Sequence, residues 1–149
     1  MEARSDIDYS GAMVYLANNC WPLGLQYSLL HNVETVPIRY FICDDSASMK
    51  LDDGHRLIGQ GDQKVVIKST RWEELQDFVK FHAGLADAAN AKCNFRFLNS
   101  GTATIVGTGD NGDSYQKLVD SMQSKPHGRT PLCHHIKQVI HEIQGICVP

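Results

Sequence analysis

Asp44, Ser46 and Ser48 stand two residues apart in the stretch "DDSASM", which directly follows the apolar run "PIRYFIC". In a loop leaving a strand end, that spacing can turn one carboxylate and two hydroxyls toward a common point. All three are hard oxygen donors, suited to Mg2+, Mn2+ or Ca2+ rather than to zinc. With a single carboxylate in the set, a bound ion would keep positive charge and open coordination positions. Such a site recruits an anionic oxygen from a partner instead of closing into a cage. The same residues equally suit an ordinary turn, because Asp and Ser side chains accept from nearby backbone N–H groups.

Other constellations carry less. "CHHIKQVIH" gathers Cys133, His134, His135 and His141, with His134 and His141 on one helix face. Zinc would need further ligands in tetrahedral array, and neither C-x-x-C nor H-E-x-x-H occurs, so a solvated polar face is expected. Phosphoryl transfer by the strand-end acids would want a second aspartate two residues after the first, where Ser46 stands. "GTGDNG" (107–112) lacks the lysine of a P-loop, and no G-x-S-x-G elbow marks a serine nucleophile. A hydrolase or phosphotransferase using the strand-end acids is therefore the alternative reading, and a metal-free adaptor is a third.

The elements that would position these residues follow from periodicity. Residues 38–43 form a nearly continuous apolar run of strand length without clean alternation, as expected when both faces are covered. Pro37 before it holds Val36 extended. Residues 51–64, "LDDGHRLIGQGDQK", hold three glycines and several acids and read as a loop. "VVIK" adds a short extended piece. Thr70 and Glu73 spell a capping box. Behind it Trp72, Leu75, Val79, His82, Ala86 and Ala89 keep helical spacing over 71–89, widened by Phe78 and Leu85. His82 in that stripe reads as a partly buried, satisfied histidine.

"CNFRFLNS" (93–100) and "TATIVG" (102–107) read as two strands joined tightly at Ser100-Gly101. A short helix follows, with Asp113 at its cap and Tyr115, Leu118, Val119 and Met122 on one face. A last helix over 131–144 puts Leu132, Ile136, Val139, Ile140 and Ile143 on one face, with Thr130 and Pro131 as cap and first residue. "ICVP" after it could begin another strand. Residues 1–37 are the least legible, although Pro22, Leu25, Leu29 and Val33 suit a short helix. The order implies an α/β sheet covered on both faces, with ligands at the carboxyl ends of its strands, where "DDSASM" lies.

Composition bounds the function. The length of 149 residues suits one domain, and 42% hydrophobic with 21% charged residues is ordinary for a globular chain. A net charge of -3 without a Lys/Arg cluster leaves no footprint for nucleic acid. The apolar runs are too short for a membrane segment, and the acidic, polar start is unlike a secretory signal. Cys20, Cys43, Cys93, Cys133 and Cys147 are odd in number and irregularly spaced, which favours a reducing, intracellular compartment, with the cytoplasm as the expectation.

"FICDDSASM" resembles the first strand and D-x-S-x-S-M loop of the von Willebrand factor A domain, which carries a metal-ion-dependent adhesion site. "GRTPL" (128–132) resembles that family's second metal loop, and the resemblance covers residues 38–146. It implies a Rossmann-like, doubly wound α/β sheet that binds a protein partner, with no catalytic residues. Asp44, Ser46 and Ser48 would be first-loop ligands and Thr130 a second-loop ligand, direct or through water, for Mg2+ or Mn2+. The ion would meet a partner's acidic side chain. Residues 1–37 would be a partly helical N-terminal extension and 38–149 a partial domain, incomplete at its C-terminus, because the family's third metal loop follows a later core strand. Ala47 stands where the family usually has glycine, and alanine resists a backbone of positive φ.

Overall fold

The computed structural model describes residues 7–59 and 63–146. Two helices come first, α1 (Tyr9–Asn18) and α2 (Leu23–Thr35). Strand β1 (Arg39–Cys43) follows and ends in a short 3-10 turn, Ala47–Lys50. A hairpin of β2 (Gly54–Ile58) and β3 (Val65–Ser69) leads to the long helix α3 (Arg71–Ala88). Then come β4 (Cys93–Phe97), β5 (Thr104–Val106), α4 (Asp113–Ser121) and α5 (Leu132–Ile146). The chain is thus a mixed α/β protein. The expected strand at "ICVP" falls, from Cys147 on, outside the described residues.

The main sheet has the order β1-β4-β5. Strands β1 and β4 run parallel, from Arg39 opposite Cys93 to Cys43 opposite Phe97, with α3 as the crossover between them. Strand β5 returns antiparallel to β4, as the tight Ser100-Gly101 connection requires. Alternation sends Phe41, Cys43, Cys93, Phe95 and Phe97 to one face, where they meet Trp72, Val79, Ala83 and Ala86 of α3. Phe41 stacks on Phe95 with ring centroids 4.7 Å apart. The capping box that opens α3 is complete: Thr70 Oγ1 accepts from Glu73 N–H at 3.2 Å, and Glu73 Oε2 accepts from Thr70 N–H at 2.8 Å.

The strand buried on both faces is β4, not β1 as the apolar run implied. The cause is position. Among the described residues β1 pairs with β4 alone and lies at the sheet edge, so most of its side chains are only half-buried.

On the opposite face, Arg96 reaches over the Tyr40 ring and pairs with Glu142 of α5 at 2.5 Å. The Nε2–H of His135 donates to the Leu98 carbonyl at 3.1 Å. Val139 is buried, but Leu132, Ile136, Ile140 and Ile143 are exposed, so most of the apolar stripe predicted for this helix is not core.

Three further elements depart from the sequence reading. Helix α1, unmarked in the sequence, packs with α2 against the back of α3 in a second core of Leu16, Leu30, Val33 and Leu85. Its approach is close because Gly84 has no side chain: a Cβ there would collide with the Tyr15 ring. Trp21 stacks on Phe81 at 5.2 Å and closes this cluster. Strand β2 occupies part of the segment expected to be loop, and Arg56 on it pairs with Asp77 of α3 at 2.6 Å. At α4 the cap position belongs to Gly112 with Asp113 inside the first turn, and Asp110 Oδ2 accepts from Ser114 N–H at 3.2 Å.

Candidate metal centre

The carboxyl ends of β1 and β4 lie side by side, and three loops gather there. The first leaves β1 at Asp44. Asp44 Oδ1 accepts from Ser46 N–H at 2.8 Å, the turn that an Asx residue makes with its own backbone. Ser46 is extended (φ -70, ψ 166) and hands over to the 3-10 turn. That turn rotates Ser48 back toward Ser46, and the two hydroxyl oxygens stand 3.0 Å apart. Ser46 is buried while Ser48 is exposed, so the pair bridges from the interior to the surface. Ala47 lies within the 3-10 turn and is not among the described residues of positive φ. The conformational objection to alanine at this position therefore does not arise.

The residue that organises the loops is Asp45, which the sequence reading passed over in favour of its neighbour. Asp45 is 1% exposed. Its Oδ1 accepts from Asn99 N–H at 2.7 Å and from Asn99 Nδ2 at 3.1 Å, and its Oδ2 accepts from Ser100 Oγ. These donors lie just after β4, so the carboxylate clasps the first loop to the β4 turn. A buried carboxylate needs such donors, since it has lost its water. The legible traces were the acidic doublet "DD" and the polar "NS" that ends the next strand's run.

The third loop, residues 126–130, is stitched to the first by backbone. His127 N–H donates to the Asp45 carbonyl at 2.7 Å, and Ala47 N–H donates to the Gly128 carbonyl at 3.2 Å. Asn99 Nδ2 also donates to the Arg129 carbonyl at 2.7 Å. Gly128 has φ +78, and a Cβ there would collide with the Asn99 amide, so this position requires glycine on both counts.

Thr130, two residues on, is exposed, and its carbonyl accepts from Leu132 N–H at 2.9 Å. Helix α5 begins at Leu132, which displaces Thr130 from the cap position that its sequence suggested. Among the described residues its hydroxyl makes no hydrogen bond. Asp44, Ser46 and Ser48 thus lie on one loop, tied by an Asp44–Ser46 N–H bond and a Ser46–Ser48 hydroxyl pair, and the loop that carries Thr130 is bonded to that loop through backbone.

The surroundings shape the charge. Arg71, at the start of α3, is held by Asp53 through two 2.6 Å hydrogen bonds. That bonding raises its pKa, and the Asp44 charge adds to the rise. Burial pushes the Cys43 thiol up to about 12, with the Asp45 charge a smaller cause, so it stays protonated beside the loops. Cys43 and Cys93 are buried free thiols, whereas Cys20 and Cys133 are exposed free thiols.

Elsewhere, His134 and His141 are exposed, as a solvated helix face would be. Among the described residues no three His, Cys, Asp or Glu side chains converge as a metal would need. The set at residues 44–48 and 130 differs in kind, being one carboxylate with three hydroxyls. No described helix is long and apolar enough to cross a membrane. No protein-family model, no curated protein and no solved structure matches this chain.

Proposed function

We propose that this chain is a von Willebrand factor A-like module that binds a protein partner through a divalent cation held by Asp44, Ser46, Ser48 and Thr130. The observation that carries the proposal is the bonding of the first loop to the third, through Asp45 to His127 and Ala47 to Gly128, which brings two segments distant in sequence to one rim. A doubly wound, Rossmann-like sheet is the fold proposed with it. Parallel β1 and β4 with a helical crossover support that fold.

The donor chemistry fits a hard cation. Metal–oxygen distances of 2.0–2.1 Å place neighbouring ligands of an octahedron about 3.0 Å apart. Ser46 Oγ and Ser48 Oγ have that separation, 3.0 Å. Asp44 commits one carboxylate oxygen to Ser46 N–H, and among the described residues the other makes no hydrogen bond. With one carboxylate among four ligands, Mg2+ or Mn2+ would retain net positive charge. A partner's Asp or Glu would then complete the coordination, its attraction strengthened where water is partly excluded. The buried reduced thiols fit an intracellular, cytoplasmic setting.

A metal-free adaptor is the second reading. It is favoured by the Asp44–Ser46 turn and the Ser46–Ser48 hydroxyl pair, which satisfy one another without an ion. Calorimetric titration with Mg2+ and Mn2+ separates the two. Saturable heat that disappears in Asp44→Ala supports the cation site. Heat that survives in Asp44→Ala moves the ion elsewhere, and absence of heat in the parent chain leaves the adaptor.

A further inference from the structure

At the opposite end of β1 from these loops, a cavity of about 220 Å³ opens between α2, α3 and the starts of β1 and β4. Leu29 and Val33 of α2, Phe41 of β1 and Leu85 of α3 make its apolar wall. Its polar groups are few: Arg39, Asn32, His82 and the Cys93 thiol. Among the described residues no Asp or Glu lines it.

Among the described residues Arg39 is the only formal charge there. Its Nε and Nη2 donate to Asn32 Oδ1 at 3.2 and 2.9 Å, and Nη2 also donates to the Asn32 carbonyl. These are neutral acceptors. Among the described residues Arg39 makes no ion pair, and its other side-chain partner is the Cys93 thiol. The guanidinium therefore stands at an apolar hollow without a counter-ion, pre-oriented by α2. His82 is framed by Phe41 at 5.2 Å, Phe78 at 4.3 Å and Phe81 at 5.2 Å. Burial lowers its pKa, with the Arg39 charge adding to the effect, so its ring adds no second positive charge at neutral pH.

We infer that this cavity binds a small amphiphilic monocarboxylate, its hydrocarbon part against Leu29, Val33, Phe41 and Leu85 and its carboxylate on Arg39. Charge complementarity selects the headgroup, since a cation would meet Arg39 and an alcohol would leave the guanidinium without a counter-ion. Size selects the tail. An apolar void of about 150 Å³ holds a benzene ring, so this one suits a chain or ring of roughly six to eight carbons. The site is independent of the cation rim and makes no use of its residues.

Calorimetry or chemical-shift titration with hexanoate, hexanol and hexylamine at neutral pH tests the inference. Hexanoate should bind, hexanol about tenfold more weakly or worse, and hexylamine not at all, given the strength of a hydrogen bond to a charged group. Arg39→Met keeps the apolar stem and should erase the preference for hexanoate over hexanol. Leu29→Trp, at a half-buried position on the cavity wall, should block both ligands while circular dichroism stays that of the parent chain. Equal binding of hexanoate and hexanol by the parent, absence of hexanoate binding, or an unchanged preference in Arg39→Met would each overturn it.

Discussion

The two faces of the β1-β4-β5 sheet are held by different physics. Against α3, Phe41, Phe95 and Phe97 pack on Trp72, Val79 and Ala83 in an apolar core rich in aromatic rings. Against α5, contact rests on Arg96 with Glu142, on His135 with the Leu98 carbonyl, and on buried Val139. Stability on the first face comes from apolar area and close packing. On the second it comes from a few directional bonds, and the helix keeps most of its apolar stripe in water. The contrast teaches that an amphipathic pattern states which residues can share a face. It does not state whether anything covers that face.

The largest test of the contrast is Phe95→Ala. Phe95 is 1% exposed and stacked on Phe41, so its loss should cost about 3–5 kcal/mol in urea unfolding. A cost near 1 kcal/mol would mean that the α3 face is looser than its contacts imply. Glu142→Gln tests the other face. Arg96 is 7% exposed and would lose its charged partner, while Asn94 Oδ1 still accepts from its Nε at 3.0 Å. A loss of about 1–3 kcal/mol is expected, because a buried charge would be left with neutral acceptors only. No measurable change would show that the pair is screened by water. The smallest effect belongs to Ile140→Lys, at a residue 49% exposed. Stability should move by no more than about 0.5 kcal/mol. A destabilisation above 2 kcal/mol would show that this stripe is covered in solution.

The sequence was most legible where local chemistry and packing agree. Thr70 and Glu73 announced α3 because a capping box works through its own four residues, and Trp72, Val79, Leu85, Ala86 and Ala89 are core as their spacing predicted, whereas Phe78, expected to widen that stripe, is 47% exposed. The strands expected over 38–43 and 93–100 are present, shortened to 39–43 and 93–97, but their rank in the sheet was not legible, since pairing order depends on contacts far along the chain. Helix α1 was missed although Ala12, Met13 and Leu16 keep helical spacing, because Gly11 and the exposed Val14 blur the stripe and its close approach to Gly84 is visible only in the fold. Strand β2 was hidden by the glycines of its segment, Gly54, Gly59 and Gly61. Its hairpin leaves Leu57, Val65 and Val66 exposed, so burial never imposed a clear alternation.

At the candidate cation site, the residue types Asp44, Ser46 and Ser48 were readable and the scaffold under them was not. Asp45 and Asn99 act across loops, and no spacing rule connects positions so far apart. Ala47 shows the reverse error, in which a requirement for glycine was expected and the turn did without it.

Asp45 has a thermodynamic implication for whatever meets this rim. By fastening the turns after β1 and β4 to the approach of α5, its carboxylate and carbonyl make those segments surrender their conformational freedom during folding. The proposed partner would meet a surface already in one shape, so little of its contact energy would be lost to freezing mobile chain. Recognition here would resemble docking against a rigid plate more than the wrapping of a flexible arm.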